Sequence, residues 1–221
     1  MAESRENDGI LQEIDEELRH ERYAKLWKRY GNVVIGAAVL LVVGVAGYQG
    51  WRHYDVSSRQ ALGEKFAVAM QAETAGKLDD AAKQFAAIAA EGRAGYAVLA
   101  RLQEAALAGR KGDRAKAATL YKSIAADNGV DAIYRDLAVV MGAMQEIDTA
   151  PPEELKARLM PQTVDTKPWR YTARELVALL TQKAGRKDEA AKLFKALADD
   201  TTAPQGVRTR AGDMAAVLGN G

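Results

Sequence analysis

The sequence has no cysteine and only two histidines, His20 and His53, among its 221 residues. The missing thiols exclude disulfide bonds, thiolate metal sites and cysteine nucleophiles. Both histidines flank the long apolar stretch described below. These histidines could act as a pH sensor or as ligands. The simpler interpretation is that they are polar side chains at the membrane interface. We therefore predict no metal site.

Recognisable catalytic motifs are also missing. The sequence contains neither a phosphate-binding loop nor a dinucleotide fingerprint. Beyond the apolar stretch the serines are Ser57, Ser58 and Ser123, and none has a general-base pattern beside it. The acidic pairs at 79–80 and 199–200 could serve as general acid and base, but both fall at predicted helix ends, where aspartate caps or solvates a turn. We predict that the chain is not an enzyme and binds no cofactor.

Basic and acidic residues are nearly equal in number. The chain has 31 Lys and Arg against 30 Asp and Glu, a formal net charge of +1. A nucleic-acid-binding domain normally presents a basic face, and none is visible in the sequence. Trp169 could stack on a ligand, but it leads a predicted helix after Pro168, and packing between repeats explains it better. Neither a nucleic acid nor a small-molecule substrate is expected as a partner.

One long apolar run, "RYGNVVIGAAVLLVVGVAGYQGW", occupies residues 29–51. No charged residue lies between Arg29 and Arg52, and a helix needs roughly 20 apolar residues to cross the hydrocarbon core of a bilayer. We predict a single transmembrane helix at 31–51. Aromatic residues stand at both ends, as in the interfacial belts of membrane proteins. They are Tyr23, Trp27 and Tyr30 at the first end, and Tyr48, Trp51 and Tyr54 at the second.

Two other interpretations fit the apolar run less well. A cleaved signal peptide could use the small-x-small site Gly44-Val45-Ala46. However, about 30 residues precede the run, eight of them acidic, and the apolar region of a signal peptide is shorter. A buried helix of a soluble domain rarely has aromatic residues at both ends. An uncleaved membrane anchor is the favoured interpretation.

Basic residues are denser before the run than after it, and this predicts its orientation. By the positive-inside rule, the N-terminus lies in the cytoplasm and the larger C-terminal part lies across the membrane. In a bacterium this places the chain in the inner membrane, with its C-terminal domain in the periplasm. The basic residues before the span are Arg19, Arg22, Lys25, Lys28 and Arg29, and those after it are Arg52, Arg59 and Lys65.

Residues 1–30 are predicted to form a cytoplasmic amphipathic helix. Ile10, Ile14, Leu18 and Leu26 recur at multiples of four, with charged residues between them. Such a helix could dock a cytoplasmic partner or lie on the membrane surface. The alternative is a solvated helix stabilised by acidic and basic residues one turn apart.

An internal repeat follows the apolar run. Three segments match: "GKLDDAAKQFAAIA" from Gly76, "GDRAKAATLYKSIA" from Gly112 and "GRKDEAAKLFKALA" from Gly185. These glycines are 36 and 73 residues apart. In each segment a polar turn leads to a small-small pair, an aromatic residue and, three residues later, an apolar residue, which is the spacing of an α-helix. The glycine is expected to end the preceding helix in a left-handed conformation.

Small residues mark the helix before each turn, at intervals of 36 or 37 residues. They are expected to let the two helices of a pair approach closely, while the aromatic residue of the second helix fills the gap to the next pair. One helix pair cannot bury its apolar face alone, so the pairs must stack. The residues predicted to pack the repeats are Ala69, Ala81, Phe85, Ala105, Ala117, Tyr121, Gly142, Ala178, Ala190 and Phe194.

The third copy departs from this pattern. Glu154 stands where the small residue belongs and Arg158 where the aromatic residue belongs, and residues 147–169 hold four of the five prolines. We expect a short, displaced helix there, followed by a loop up to Pro168. The C-terminal segment "PQGVRTRAGDMAAVLG" predicts a capping helix. Its apolar face comprises Val207, Ala211, Met214 and Leu218.

The order of small residue, glycine turn, alanine and aromatic residue, at a period close to 34, resembles the tetratricopeptide repeat. From Gln12 to Leu218 the chain is similar to the ancillary SecYEG translocon subunit family. The similarity rests on the helix "EIDEELRHERYAKLWKRYG", one span, and the helices "GYAVLARLQEAA" and "WRYTARELVALL". The resemblance implies a membrane-tethered periplasmic protein that associates with translocon subunits and periplasmic chaperones.

We therefore predict an all-α protein in which a single transmembrane helix precedes a tetratricopeptide-like solenoid of helical hairpins. The expected segments are a cytoplasmic helix at 1–30, the span at 31–51, a stalk with the first repeat helix at 52–75, and the repeat domain with its cap at 76–221. The expected function is an adaptor that assists protein translocation or periplasmic chaperoning by binding translocon, chaperone or emerging unfolded polypeptide. The alternative is a scaffold for cell-envelope assembly or division.

The first helices of the pairs are expected to line a shallow concave face. An extended peptide or a partner helix could bind there. The residues assigned to this face by their helical position are Tyr96, Arg101, Glu175 and Gln182.

Overall fold

The computed structural model describes the backbone of residues 2–91 and 95–219. Two compact units divide the chain, Met1–Arg59 and Gln60–Gly221. Within the described residues the regular elements of both units are helices. This confirms the predicted all-α fold.

The first unit consists of the N-terminal part of helix α1 (Ala2–Thr74). Side chains are described here for residues 24, 25 and 27 onward, and the large apolar ones from Val33 to Val45 are more than half exposed. A run of apolar residues without proline suits a helix, because helical hydrogen bonds satisfy every backbone group internally. The side chains of Ile10, Ile14, Leu18, His20 and Leu26 lie outside the described residues.

The second unit stacks helices in pairs. Pair 1 joins residues 60–74 of α1 to α2; pair 2 is α3 with α4, pair 3 is α5 with α6, and pair 4 is α7 with α8. A last helix, α9, follows pair 4. The bounds are α2 Leu78–Ala90, α3 Tyr96–Arg110, α4 Arg114–Ala125, α5 Ala132–Glu146, α6 Pro152–Leu159, α7 Arg170–Lys183, α8 Lys187–Asp199 and α9 Gln205–Gly219, with a 3₁₀ helix at Met160–Gln162.

Glycine turns connect the two helices in three of the pairs. Gly76, Gly112 and Gly185 have φ angles of 76°, 88° and 80°, a left-handed conformation that glycine adopts without steric cost. The residue after each glycine donates its N–H to the carbonyl five positions back, as Arg186 does to Thr181 at 3.1 Å, which completes a Schellman motif. These turns set the register at which each second helix begins.

The turn of pair 3 has no glycine, and its second helix begins later. Pro151, the residue preceding α6, comes one position later than its counterparts in the other pairs. Proline fixes φ and is favoured at a helix start, so the adjacent prolines suit this later beginning. Consequently Leu155 and Leu159 are fully buried, one position after Glu154 and Arg158.

The expected short helix and loop of the third copy are present. α6 has 8 residues, whereas α4 has 12 and α8 has 13. After the 3₁₀ helix, residues 163–169 form no α-helix before α7 begins.

The core of the second unit follows the chain as four successive groups of buried side chains. The last group includes Val207 and Ala211 of α9, with Met214 and Leu218 packed beside them. α9 thus covers the apolar side of pair 4, as the predicted capping helix does.

Candidate protein-interaction site

Tyr96 and Arg101, two of the residues assigned to the binding face, lie on α3. Tyr96 is 36% exposed, and its ring centroid lies 5.5 Å from that of Phe66. Arg101 is half-buried, and its Nη1 donates to Oδ2 of Asp127 at 2.6 Å. This hydrogen bond holds the pKa of Asp127 below its usual range. Tyr96 therefore keeps an accessible edge, whereas Arg101 ties α3 to the residues that follow α4.

Glu175 and Gln182, the other two assigned residues, lie on α7. Both carboxylate oxygens of Glu175 accept hydrogen bonds from Arg210 of α9 at 2.8 Å, and this pairing raises the pKa of Arg210. Gln182 is half-buried in the last turn of α7. Because α5 packs against both α3 and α7, the four residues occupy two separate positions along the first helices. The structure does not bring them together as one cluster.

The ten residues predicted to pack the repeats lie inside the second unit. Nine of them are at most 1% exposed, and Gly142 is also buried. Tyr121 of pair 2 packs against Gly142 of pair 3 so closely that a Cβ added to Gly142 would lie 3.2 Å from the Cβ of Tyr121. Burial also raises the pKa of the Tyr121 phenol. Gly142, the small residue of pair 3, thus receives the aromatic residue of pair 2.

A repeated ion pair is a feature that the apolar periodicity did not predict. Within three of the helix pairs, a basic residue of the first helix contacts an acidic residue 26 positions later, near the end of the second helix. The basic members are 36 and 73 residues apart, and so are the acidic members. The signal was therefore present in the charge pattern. The three contacts are Lys65–Glu91 at 2.5 Å, Arg101–Asp127 at 2.6 Å and Arg174–Asp200 at 3.5 Å.

Further charged contacts join one pair to the next at the turns. In each, a basic residue at the end of a first helix or in its turn contacts an acidic residue near the turn of the preceding pair. Hydrogen bonds from Lys111 and Lys183 hold the pKa values of Asp79 and Asp148 below their usual range. Exposed ion pairs of this kind stabilise a fold little individually. The contacts are Arg110 with Glu73, Lys111 with Asp79, Lys183 with Asp148 and Arg186 with Glu153.

Three of the side chains that suggested chemistry, those of Ser58, Ser123 and Trp169, form hydrogen bonds within the fold. Ser58 and Ser123 donate their hydroxyls to the carbonyls of Asp55 and Leu120 at 3.0 and 2.7 Å. The indole Nε1–H of Trp169 donates to the carbonyl of Ile133 at 3.1 Å, which joins pair 4 to pair 3. Among the described residues, no group of three or more His, Cys, Asp or Glu side chains could hold a metal ion.

One helix among the described residues is long and apolar enough to cross a membrane, by length and composition. It lies near the N-terminus, within Trp27–Thr74, and only 6% of its apolar window is buried inside the protein. Trp27 and Trp51, near the two ends of the predicted span, are exposed as well. These properties are those of a membrane span or of a signal anchor.

Stacked helix pairs with glycine turns, small residues at regular intervals and a covering last helix define a helical-repeat protein. The chain belongs to the Tetratricopeptide repeat-like domain family, whose model matches residues 24–216. Such a repeat domain is typically a protein-binding scaffold without catalytic activity. Neither the comparison with curated proteins nor the comparison with solved structures finds a significant match.

Proposed function

We propose that the chain is a membrane-anchored adaptor whose repeat domain binds protein partners in the periplasm and so assists protein translocation or periplasmic chaperoning. The observation that carries the proposal is the combination, on one chain, of a tetratricopeptide repeat-like domain and an exposed apolar helix of sufficient length to span a membrane. Tethering raises the effective concentration of a binding domain toward partners that are held at the same membrane.

An uncleaved anchor is supported by the exposure of the apolar side chains. Leu40 and Leu41 are 75% and 67% exposed, so the protein itself does not cover them. A large contiguous apolar surface is unfavourable in water and suits a hydrocarbon environment. The family match begins at residue 24 and therefore includes this helix, which favours a permanent part of the domain over a removable leader.

The proposed orientation rests on the charge difference across the span. Lys25, Lys28 and Arg29 crowd one end, and Arg52 and Arg59 are more widely spaced at the other. The end with the denser positive charge stays in the cytoplasm. The C-terminal unit then lies in the periplasm of a bacterium. The boundary between the two units, after Arg59, falls inside the segment 52–75 that we propose as stalk and first repeat helix.

Translocon subunits, a periplasmic chaperone or an emerging unfolded polypeptide are the proposed partners. Two considerations support them: the resemblance of the sequence to ancillary SecYEG translocon subunits, and the protein-binding character of the repeat family. On the first helices, Tyr96 is 36% exposed and Gln182 is half-buried, and we propose these two assigned residues as contacts. Arg101 and Glu175 would have to exchange their present partners, Asp127 and Arg210, to take part.

Isolation of the intact membrane complex tests the proposal. Full-length protein with an affinity tag, crosslinked in its own cells and purified in mild detergent, should retain translocon subunits and periplasmic chaperones. Wall-synthesis or division proteins in their place would support the alternative, a scaffold for cell-envelope assembly or division. Recovery of neither group would contradict both.

Reporter fusions test the orientation and the permanence of the anchor. A reporter that is active only outside the cytoplasm should be active when fused after Gly221 and silent when fused before Ile10. The mature protein should migrate at its full mass of 23.9 kDa and resist carbonate extraction. A product that starts near Gly47 would show that the apolar run is a cleaved signal.

A further inference from the structure

A cavity of about 730 Å³ opens beside α6. One wall is formed by α6, the 3₁₀ helix and the residues that follow it, and the other wall by α8. Residues of α7 form part of its lining between these walls. The cavity therefore lies between the second helices of pairs 3 and 4.

The short α6 explains the cavity. In pairs 1, 2 and 4 the second helix extends far enough to bury an aliphatic residue twelve positions after the turn glycine: Ile88, Ile124 and Leu197, each at most 4% exposed. Pair 3 has Gln162 at the displaced equivalent position, after α6 has ended. Gln162 is 6% exposed; its Nε2 donates to Asp136 at 3.0 Å, and its Oε1 has no hydrogen-bond partner. Pair 3 thus lacks the last helical turn and its aliphatic side chain.

Apolar side chains line much of the space that the missing turn leaves. Val177 of α7 is buried, and Leu193 and Leu197 of α8 face the cavity beside it. On the opposite wall Met160 and Val164 are each 48% exposed. Large apolar side chains left half in water around a concave space are typical of a surface that a ligand covers.

The charged residues at the rim differ in how far they reach into solvent. Asp165 on one wall and Glu189 on the other have side chains that are 88% and 46% exposed. The basic side chains that line the cavity, Lys156 and Arg174, are only 19% and 31% exposed. Arg174 contacts Asp165 at 2.5 Å, and Glu189 is contacted at 3.3 Å by Lys156 and by Arg186, which lies outside the lining. The charged residues of the lining are three acidic ones, Asp165, Glu189 and Asp200, and two basic ones, Lys156 and Arg174, so acidic residues are in excess. The rim therefore attracts cationic groups and repels anionic ones.

We propose that this cavity binds an extended peptide segment in which large apolar side chains are flanked by lysine or arginine. The proposal rests on the function proposed above and names the part of a client polypeptide that the repeat domain holds. The apolar side chains occupy the space of the missing helical turn, and the basic residues reach Asp165 and Glu189. The volume falls within the range of well-formed ligand sites, which is about 300–1,000 Å³.

A lipid fits the same cavity less well, because phosphate and carboxylate headgroups would face the exposed carboxylates of Asp165 and Glu189. The site also differs from the predicted binding face. It lies against α6 and α8, the second helices of their pairs, whereas Tyr96 and Gln182 belong to first helices.

Fluorescence anisotropy with the full-length protein in nanodiscs of zwitterionic lipid tests this proposal. The probe is a short labelled peptide with leucines at its centre and lysines on both sides. One control peptide replaces the lysines with glutamates, and a second replaces the leucines with serines. We expect the lysine-flanked leucine peptide to bind about tenfold more tightly than either control, since both the apolar and the charged contacts contribute.

Three variants locate the site. Ala196 is an exposed residue that lines the cavity, and Ala196→Trp fills the opening without removing a core side chain. Ala115→Trp makes the same change on the exposed surface of α4 and is the matched control. Asp165→Lys reverses the most exposed rim charge. We expect Ala196→Trp to weaken binding at least about tenfold, Ala115→Trp to leave it unchanged, and Asp165→Lys to shift the preference toward the glutamate-flanked peptide.

Several outcomes would overturn the inference. If Ala196→Trp, with unchanged helicity by circular dichroism, binds the peptide as well as the parent protein does, the peptide lies elsewhere and the adaptor function still stands. The same holds if no peptide binds although the purified complex retains its translocon subunits. Equal binding of the lysine-flanked and glutamate-flanked peptides contradicts the charge assignment. Displacement of bound peptide by vesicles of anionic lipid identifies a lipid site instead.

Discussion

Pairs 2 and 3 are neighbours in the same stack, yet only pair 2 follows the repeat pattern throughout. Pair 2 has a glycine turn, a 12-residue second helix and an ion pair between Arg101 and Asp127. Pair 3 has a proline turn and an 8-residue second helix, and Ala138 and Val164 stand at the positions of that ion pair. The difference shows that pairs with the same repeat length can differ in how much apolar surface they bury. Complete pairs bury their apolar surface, and the incomplete pair leaves part of it open.

The largest expected effect is in the complete pair. Ala117→Arg forces a long charged side chain into the contact between α3 and α4, where Ala117 is fully buried. Overpacking costs roughly 1–3 kcal/mol and a buried unpaired charge adds to it, against a total stability of about 5–15 kcal/mol. We expect a large fall in the melting temperature of the full-length protein in detergent, measured by circular dichroism. Ala115→Arg, on the exposed side of the same helix, is the control and should change little.

Equal melting temperatures for the Ala117→Arg and Ala115→Arg variants would contradict the burial of α4. A loss of stability in Ala115→Arg alone would mean that α4 is rotated from the arrangement described here.

The second prediction tests the displaced register of pair 3. Leu155→Ala removes a fully buried side chain from the group that includes Val140 and Leu176, and such truncations cost about 2–5 kcal/mol. Glu154→Ala, one position earlier on the exposed side, should be close to neutral. Urea unfolding of the two variants measures the difference. If Glu154→Ala were the more damaging change, α6 would follow the register of the other pairs.

The third prediction concerns the contact that joins pair 2 to pair 3. Gly142→Ala places a Cβ 3.2 Å from the Cβ of Tyr121, closer than an ordinary van der Waals contact, and both residues are buried. We expect a loss of about 1 kcal/mol, because overpacking outweighs the better helix propensity of alanine. Gly212→Ala on α9 is the matched control, since its added Cβ meets only Ala198 at 3.9 Å and should stabilise the helix slightly. An increase in stability in both variants would show that the Tyr121 side chain can move away from the added Cβ.

The smallest expected effect comes from removing the ion pair between Arg101 and Asp127 in pair 2, which has no counterpart in pair 3. The hydrogen bond from Arg101 lowers the pKa of Asp127 in the folded protein. The contact therefore stabilises the fold above the ordinary pKa of aspartate, about 3.9, and this stabilisation disappears as the pH falls through the lower folded value. Arg101→Gln should raise the pKa of Asp127 toward its ordinary range in an NMR titration. An unchanged pKa would show that Arg101 is not its partner in solution.

Much of the repeat architecture could be predicted from sequence because its turns have strict requirements. Gly76, Gly112 and Gly185 stand where a Schellman turn needs a left-handed residue, and few residues other than glycine meet that requirement. The start of α6 could not be predicted in the same way. Pro151 and Pro152 are both compatible with a helix beginning, and the packing of Leu155 and Leu159 shows which start is used.

The binding residues were harder to predict than the fold. A position on a helix face does not reveal whether a neighbouring segment already occupies the side chain. Arg101 meets a partner 26 residues away, and Glu175 meets Arg210 35 residues away. The first of these contacts was readable from the repeated charge spacing. The cavity beside α6 was not, because it depends on the length of that helix and on the course of the loop after it.

The shortness of α6 also has a consequence for how the repeat domain unfolds. In a linear array each pair exchanges stabilising contacts only with its neighbours, so cooperativity passes along the chain through successive interfaces. Among the described second helices, α6 is the shortest and offers the shortest surface for contact with its neighbours. We therefore expect the array to open at α6 while the blocks on either side stay folded, and the amide hydrogens of α6 to exchange with solvent sooner than those of α4 or α8. In energetic terms, pair 3 would then divide the array into two blocks that unfold separately.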